Sequence, residues 1–195
     1  MITLVGNAGQ HRARVWRGEK RLSELDETWE AVLAEAARHA RTAGRGDVAD
    51  YVALRVANDT ARQTGVNWLL ETFTALAGEA NRVGAGVTIE RVETHRFSVG
   101  AATMVGALLT FRYGVRSLMV EAGWPRAPGD GFVRNGGLAC AQVRHFGMSK
   151  ANEELLLTRD ARHAPQWFAL SEEGPRRPFP EAQARWHVGK FLGVN

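Results

Sequence analysis

The first proline of this chain is Pro125, so every residue before it can donate a backbone hydrogen bond and no helix in that half need kink. Apolar residues over the same half recur at helical spacing. Ser23 can cap a first helix, Glu24, Asp26 and Glu27 place acid at the positive end of its dipole, and Leu25, Trp29, Val32, Leu33, Ala36 and Ala40 form one stripe. Arg38 and Arg41 occupy its last turns and Gly44 ends it. Asp47 offers a second cap for a segment to about Thr64, with Val48, Tyr51, Val52 and Val56 as its buried stripe; Val52, Leu54 and Val56 also fit a period of two. Gly65 interrupts, and Leu69, Phe73, Leu76 and Ala80 predict a third helix from about Asn67 to Arg82, closed by Gly84 and Gly86.

From Val87 the period changes to that of strands. Extended runs start at Val87 and continue as Arg96 to Val99, Thr103 to Tyr113, Val115 to Ala122, Leu138 to Phe146, Glu154 to Arg159 and Gln166 to Leu170. Tyr113-Gly114 suits a tight turn. Helices first and strands later predict an α+β fold, with two or three N-terminal amphipathic helices packed on a C-terminal antiparallel sheet of about five strands. At 195 residues the expectation is one domain, with a helical half at about 23–83, a sheet half at about 87–170 and an extension over 171–195. Trp186, Phe191 and Leu192 in that extension suit a short helix docking back onto the body. Ile2 to Val5 and Arg12 to Trp16 suit a small hairpin.

The formal net charge is +4 and the sequence pI about 9.8, a modest surplus for this length and not the dense basic run of a dedicated nucleic-acid binder. Only Lys20, Lys150 and Lys190 are lysines, so the cationic groups are nearly all guanidinium, the group suited to bidentate recognition of phosphate and carboxylate. His11, Arg12, Arg14, Arg17, Lys20 and Arg21 are the densest basic stretch and suit either a phosphate-contacting arm or a charged, solvated edge strand. Cys140 is the single cysteine, which excludes an intramolecular disulfide and a cysteine-rich zinc site. With no signal-like N-terminus and no apolar run near the roughly 18 residues of a span, the expectation is a soluble cytoplasmic protein without membrane contact.

The stretch from Glu121 to Gly137 is longer than the two to about five residues of a plain hairpin and rich in Gly, Pro, Arg and Trp. Its glycines allow positive φ and exposed amides, Arg126 and Arg134 add planar donors, and Trp124 can supply a stacking face. Arg112 and Arg116 extend the basic surface on the preceding strands. These residues point to an anionic ligand, nucleic acid or protein partner; equally, the prolines and glycines can serve only to build turns around a core Trp124. No Walker or dinucleotide fingerprint is present.

A different class of function needs converging ionisable groups. Glu93, His95, Glu121, Asp130 and His145 all fall on or beside proposed strands, and Glu93 and His95, two apart, would share a strand face. Such a set suits a metal-assisted hydrolase, or simply solvated and ion-paired side chains. Ser98, Ser117 and Ser149 lie in no nucleophile-elbow sequence, and Cys140 in its apolar run reads as core. Arg96-Phe97, Phe111-Arg112-Tyr113 and Arg144-His145-Phe146 interleave cations and aromatics as single-strand binders do, and as any half-buried strand does. The leading expectation is a non-catalytic binding or accessory module acting through the 121–137 loop, with no cofactor specified. A structural subunit or homo-oligomer is the remaining class.

Overall fold

The computed structural model describes residues 31–160, 164–170 and 176–194. The proposed N-terminal hairpin, the basic stretch around Trp16 and the Ser23 cap lie outside the described residues. The chain divides between Asn58 and Asp59 into two units.

In the first unit, residues 31–42 are helical (α1), and Gly46–Arg82 is a second helix (α2) that continues into the second unit. Leu33 and Ala37 of α1 bury with Val52 of α2, flanked by Val48 and Val56. Val48, Val52 and Val56 are spaced by four and therefore share one line along the helix. Tyr51 and Val32, expected in the buried stripes, lie off those lines and are exposed.

α2 is one helix of 37 residues, not two broken at Gly65. Gly65 is a packing position: a Cβ there would sit 2.6 Å from both methyls of Leu157, which is fully buried. The Gly65 carbonyl also accepts a hydrogen bond from Trp167 Nε1 at 2.8 Å. The missing side chain brings helix and sheet together, and the helix runs through it. At the C-terminal end, the Asn81 side chain pairs with both the N–H and the carbonyl of Val87, which fixes the turn through Gly84 and Gly86, both at positive φ.

The second unit continues as β1 (Thr88–Val99), β2 (Ala102–Tyr113), β3 (Arg116–Trp124), β4 (Ala139–His145), β5 (Glu153–Arg159), β6 (Pro165–Leu170) and β7 (Arg177–Pro178), followed by α3 (Glu181–Leu192). All neighbours pair antiparallel in sequence order. The fold is therefore α+β, but with seven strands among the described residues rather than about five, and with helices that are not all N-terminal. The extra strand beyond the apolar runs is β7, whose two residues carry no periodicity. α3 docks back onto the core through Phe191, with Leu192 partly buried beside it, and also through Ala184 and Val188; Trp186, expected to dock with them, is 39% exposed.

One sheet face packs under Leu69, Leu70, Phe73, Leu76 and Ala77 of α2 and under α3, and receives Leu109 and Phe111, Leu118 and Val120, Ala141 and Val143, Leu155 and Leu157 from successive strands. The other face carries a smaller apolar cluster of Phe97, Val99, Ala102, Met104, Cys140 and Leu156, with Val133 of the 121–137 loop packed on it. Gly106 and Gly123 face each other across β2 and β3 because a Cβ on Gly123 would come within 2.6 Å of the Val105 carbonyl oxygen, and one on Gly106 would collide with the backbone at Ala122.

β1 contains a bulge. Val92 pairs with Leu108 and His95 with Gly106, so two residues, Glu93 and Thr94, oppose the single Ala107. Thr94 takes φ 56°, a left-handed conformation unusual for a β-branched residue. The extra residue reverses the alternation: Ile89 faces the helices, whereas Phe97 and Val99 face the opposite side.

Candidate functional site

The five ionisable residues singled out in the sequence separate into four places, with only His95 and Glu121 together. The bulge puts His95 on the sheet face away from the helices, where its Nε2 lies 2.7 Å from Glu121 Oε2. The Glu121 side chain is only 10% exposed, and its other oxygen lies 3.6 Å from Arg144 Nε. Arg144 in turn bonds to Gln142 Oε1, and Gln142 Nε2 donates to the Ser98 carbonyl at 3.4 Å. His95 is 26% exposed and stacks on Phe97 with ring centroids 6.0 Å apart. Chemically this is a sheltered carboxylate held between an imidazole and a guanidinium, with the imidazole open to solvent.

Glu93 does not join it. It sits inside the bulge, where the strand alternation that would have placed it beside His95 fails, and pairs with Arg91 at 2.5 Å in solvent. Asp130 lies in the 121–137 loop, and its carboxylate is taken up by that loop. Oδ2 accepts from the backbone N–H groups of Arg126 at 3.1 Å and Ala127 at 3.0 Å, and Oδ1 from Arg96 at 2.7 Å.

His145 lies on the opposite, helix-covered face. Its Nε2 is 2.9 Å from His187 Nδ1 of α3, and His187 Nε2 is 3.3 Å from Glu153 Oε2. Glu153 Oε1 accepts from Arg177 at 3.0 Å and Gln183 at 3.2 Å. The two histidine rings stack at 5.2 Å and both are buried, and His145 Nδ1 has no hydrogen-bond partner among the described residues. Burial, then the neighbouring His187 and Lys190, push the His145 pKa down to about 4 against the opposing pull of Glu153. Burial raises the Glu153 pKa, but the His187 hydrogen bond and Arg177 outweigh it and hold the carboxyl below its ordinary value. Sequence reasoning missed His187 and Glu153 because they converge only when α3 folds back over β4 and β5. Among the described residues, no group of three or more His, Cys, Asp and Glu side chains is placed to hold a metal ion.

The loop itself begins at Pro125, since Glu121 to Trp124 belong to β3. It contains two 3-10 turns, Pro128–Asp130 and Arg134–Gly136. Asn135 adopts φ 57°, a left-handed position that a short amide side chain tolerates. The Gly137 position is packed against Leu156 and Val133, so the loop is seated on the sheet. Trp124 is buried in the helix-side core and the Arg126 guanidinium lies 3.7 Å over its ring. Arg134 pairs with Glu154 at 2.8 Å. Arg112 pairs with Glu90 at 3.6 Å, and Arg116 donates to the Phe191 carbonyl at the end of α3. The last two arginines therefore serve the β1–β2 surface and the α3 terminus, apart from the loop.

The exposed large apolar side chain of the loop is Phe132, at 87%, which sequence reasoning did not select. Its neighbour Val133 is the one that packs, partly buried, on the sheet. Cys140, under the loop, is fully buried, and burial raises its thiol pKa to about 11, as suits a core residue rather than a nucleophile. No described helix is long and apolar enough to cross a membrane. No protein-family model, curated protein or solved structure matches this chain.

Proposed function

We propose that the chain is a binding module that engages an anionic partner through the 121–137 loop, with Phe132, Arg126 and Arg134 as its contacting residues. The observation that carries this reading is Phe132, 87% exposed on a loop whose backbone is tied by Asp130 and seated by Val133. A loop already ordered loses little conformational entropy on binding, and aromatic and arginine side chains are the types that dominate binding energy. The Arg134 pair with Glu154 is about half exposed on both sides, and such a pair contributes little in water. Its guanidinium can exchange that carboxylate for one belonging to a partner, or for a phosphate.

The test is titration with a single-stranded oligodeoxythymidine and, separately, with a polyglutamate peptide. Binding of either is expected to weaken steeply as salt rises, to fall about tenfold in Phe132→Ala, and to fall at least that far in the Arg126→Ala, Arg134→Ala double variant. Absent or salt-independent binding, or affinity unchanged in both variants, would remove the proposal.

A second reading, a metal-assisted hydrolase, keeps two of its five residues together. Its support is the 2.7 Å contact between a sheltered Glu121 and a solvent-facing His95. It expects a stoichiometric divalent metal after chelator-free purification, lost in His95→Ala; a metal-free protein with no turnover of ester or phosphate substrates argues against it.

A further inference from the structure

A separate cleft opens on the helix-covered side, between α2, β6 and the start of α3. It encloses about 280 Å³. Thr64 and Trp68 of α2, one turn apart, form one wall, Gln166 and Trp167 of β6 the second, and Phe179 and Pro180 the third.

Its chemistry is specific in three respects. None of its described lining residues is charged, so among them an ionised ligand would lose hydration with no opposite charge to replace it. Two indoles and a phenyl ring dominate the walls, and flat apolar faces favour a flat ligand. The Trp167 indole N–H is already donated to the Gly65 carbonyl, so this residue offers only its ring. Trp68 is by contrast 39% exposed, a large aromatic surface left at the mouth of a concave site. Polar recognition falls to the Thr64 hydroxyl and the Gln166 amide, which together supply donors and acceptors.

The volume sits just below the roughly 300–1,000 Å³ of typical small-molecule sites, which limits the occupant to one or two rings. The walls are also firmly supported. Trp167 is buried, and Phe179 stacks on Phe73 at 6.5 Å and packs on His187 at 5.9 Å, so both are held in place before any ligand arrives. We propose that this cleft is a binding site for a neutral, planar heteroaromatic molecule of one or two rings, stacked on Trp68 and read along its polar edge by Gln166. It is independent of the 121–137 loop and of the partner proposed for it.

The experiment is calorimetric titration of the full chain with adenine and with indole, each followed by the side-chain amide and indole N–H signals in a nitrogen–proton NMR spectrum. Saturable binding in the micromolar to millimolar range is expected, with shifts at Gln166 and Trp68. Trp68→Ala should weaken both probes at least tenfold. Gln166→Leu, which leaves the aromatic walls intact, should weaken adenine at least fivefold. Negatively charged indole-3-acetate should bind less tightly than indole. Failure of both neutral probes to saturate, affinity unchanged in both variants, or preference for the anion would each overturn the assignment.

Discussion

At the scale of single residues, Asp130 shows how a side chain chosen for chemistry turns out to hold a shape. Its two oxygens accept from two consecutive backbone amides and from Arg96, so it organises the loop that carries Phe132. Asp130→Ala should lower stability by about 1 kcal/mol, the usual cost of losing such a local cap. It should also speed tryptic cleavage at Arg126 and Arg134 by much more than that loss of global stability explains. Asp130→Asn, which keeps an acceptor for the amides, should lie between. Denaturation midpoints with limited proteolysis check this; a loop as protease-resistant in Asp130→Ala as in the parent would refute it. The partnership of His95 with Glu121 was partly legible, since both were candidates from their strand positions. Glu93 and His145 were not separable from them, because strand parity can be counted only when no bulge intervenes, and nothing in Val92-Glu93-Thr94-His95 announces one.

At the scale of elements, helical and strand periods identified most segments because each buries one face: β2, β3, β4 and β5 fall close to where the apolar spacing placed them, and α2 covers both helices expected on either side of Gly65 as one. Gly65 was misread for a physical reason. Glycine weakens a helix by roughly 1 kcal/mol relative to alanine, which suggests a break, whereas here the lost Cβ makes room for Leu157. Gly65→Ala sets these effects against each other. The gain in helix propensity of about 1 kcal/mol is opposed by overpacking of about 1–3 kcal/mol, and Leu157 is too buried to move aside. A net loss of about 1 kcal/mol is expected, and Leu157→Val should be less costly in the Gly65→Ala background than alone. Urea denaturation of the four proteins in the cycle decides it; a stabilised Gly65→Ala would mean that the helix–sheet distance is not set at this position.

At the scale of the molecule, α3 closes the helix-covered face over a buried histidine pair. This makes stability depend on acid. The His145 pKa is about 4 in the folded protein and near 6.5 when unfolded, so on acidification the unfolded chain takes up the proton first. Stability should therefore fall as pH drops from about 6.5 towards 4, by at most on the order of 3 kcal/mol from this residue. His187 and Lys190 of α3 resist its protonation and Glu153 of β5 favours it. Glu153, held below its ordinary value, adds stability that is lost at still lower pH, so the two act in the same direction. Denaturant midpoints of the parent and of His145→Phe across this range test the claim, and equal slopes for the two would count against it. The Thr94 bulge has a meaning at this scale as well. β1 ends the sheet among the described residues, and an outer strand of its length offers a row of unpaired amides to any other chain. The irregularity at Glu93 and Thr94 kinks that row partway along, and the charged Glu90, Arg91 and Glu93 line it. The feature that delivers His95 to Glu121 therefore also interrupts the regular ladder along this edge, which makes β1 a poorer template for strand addition.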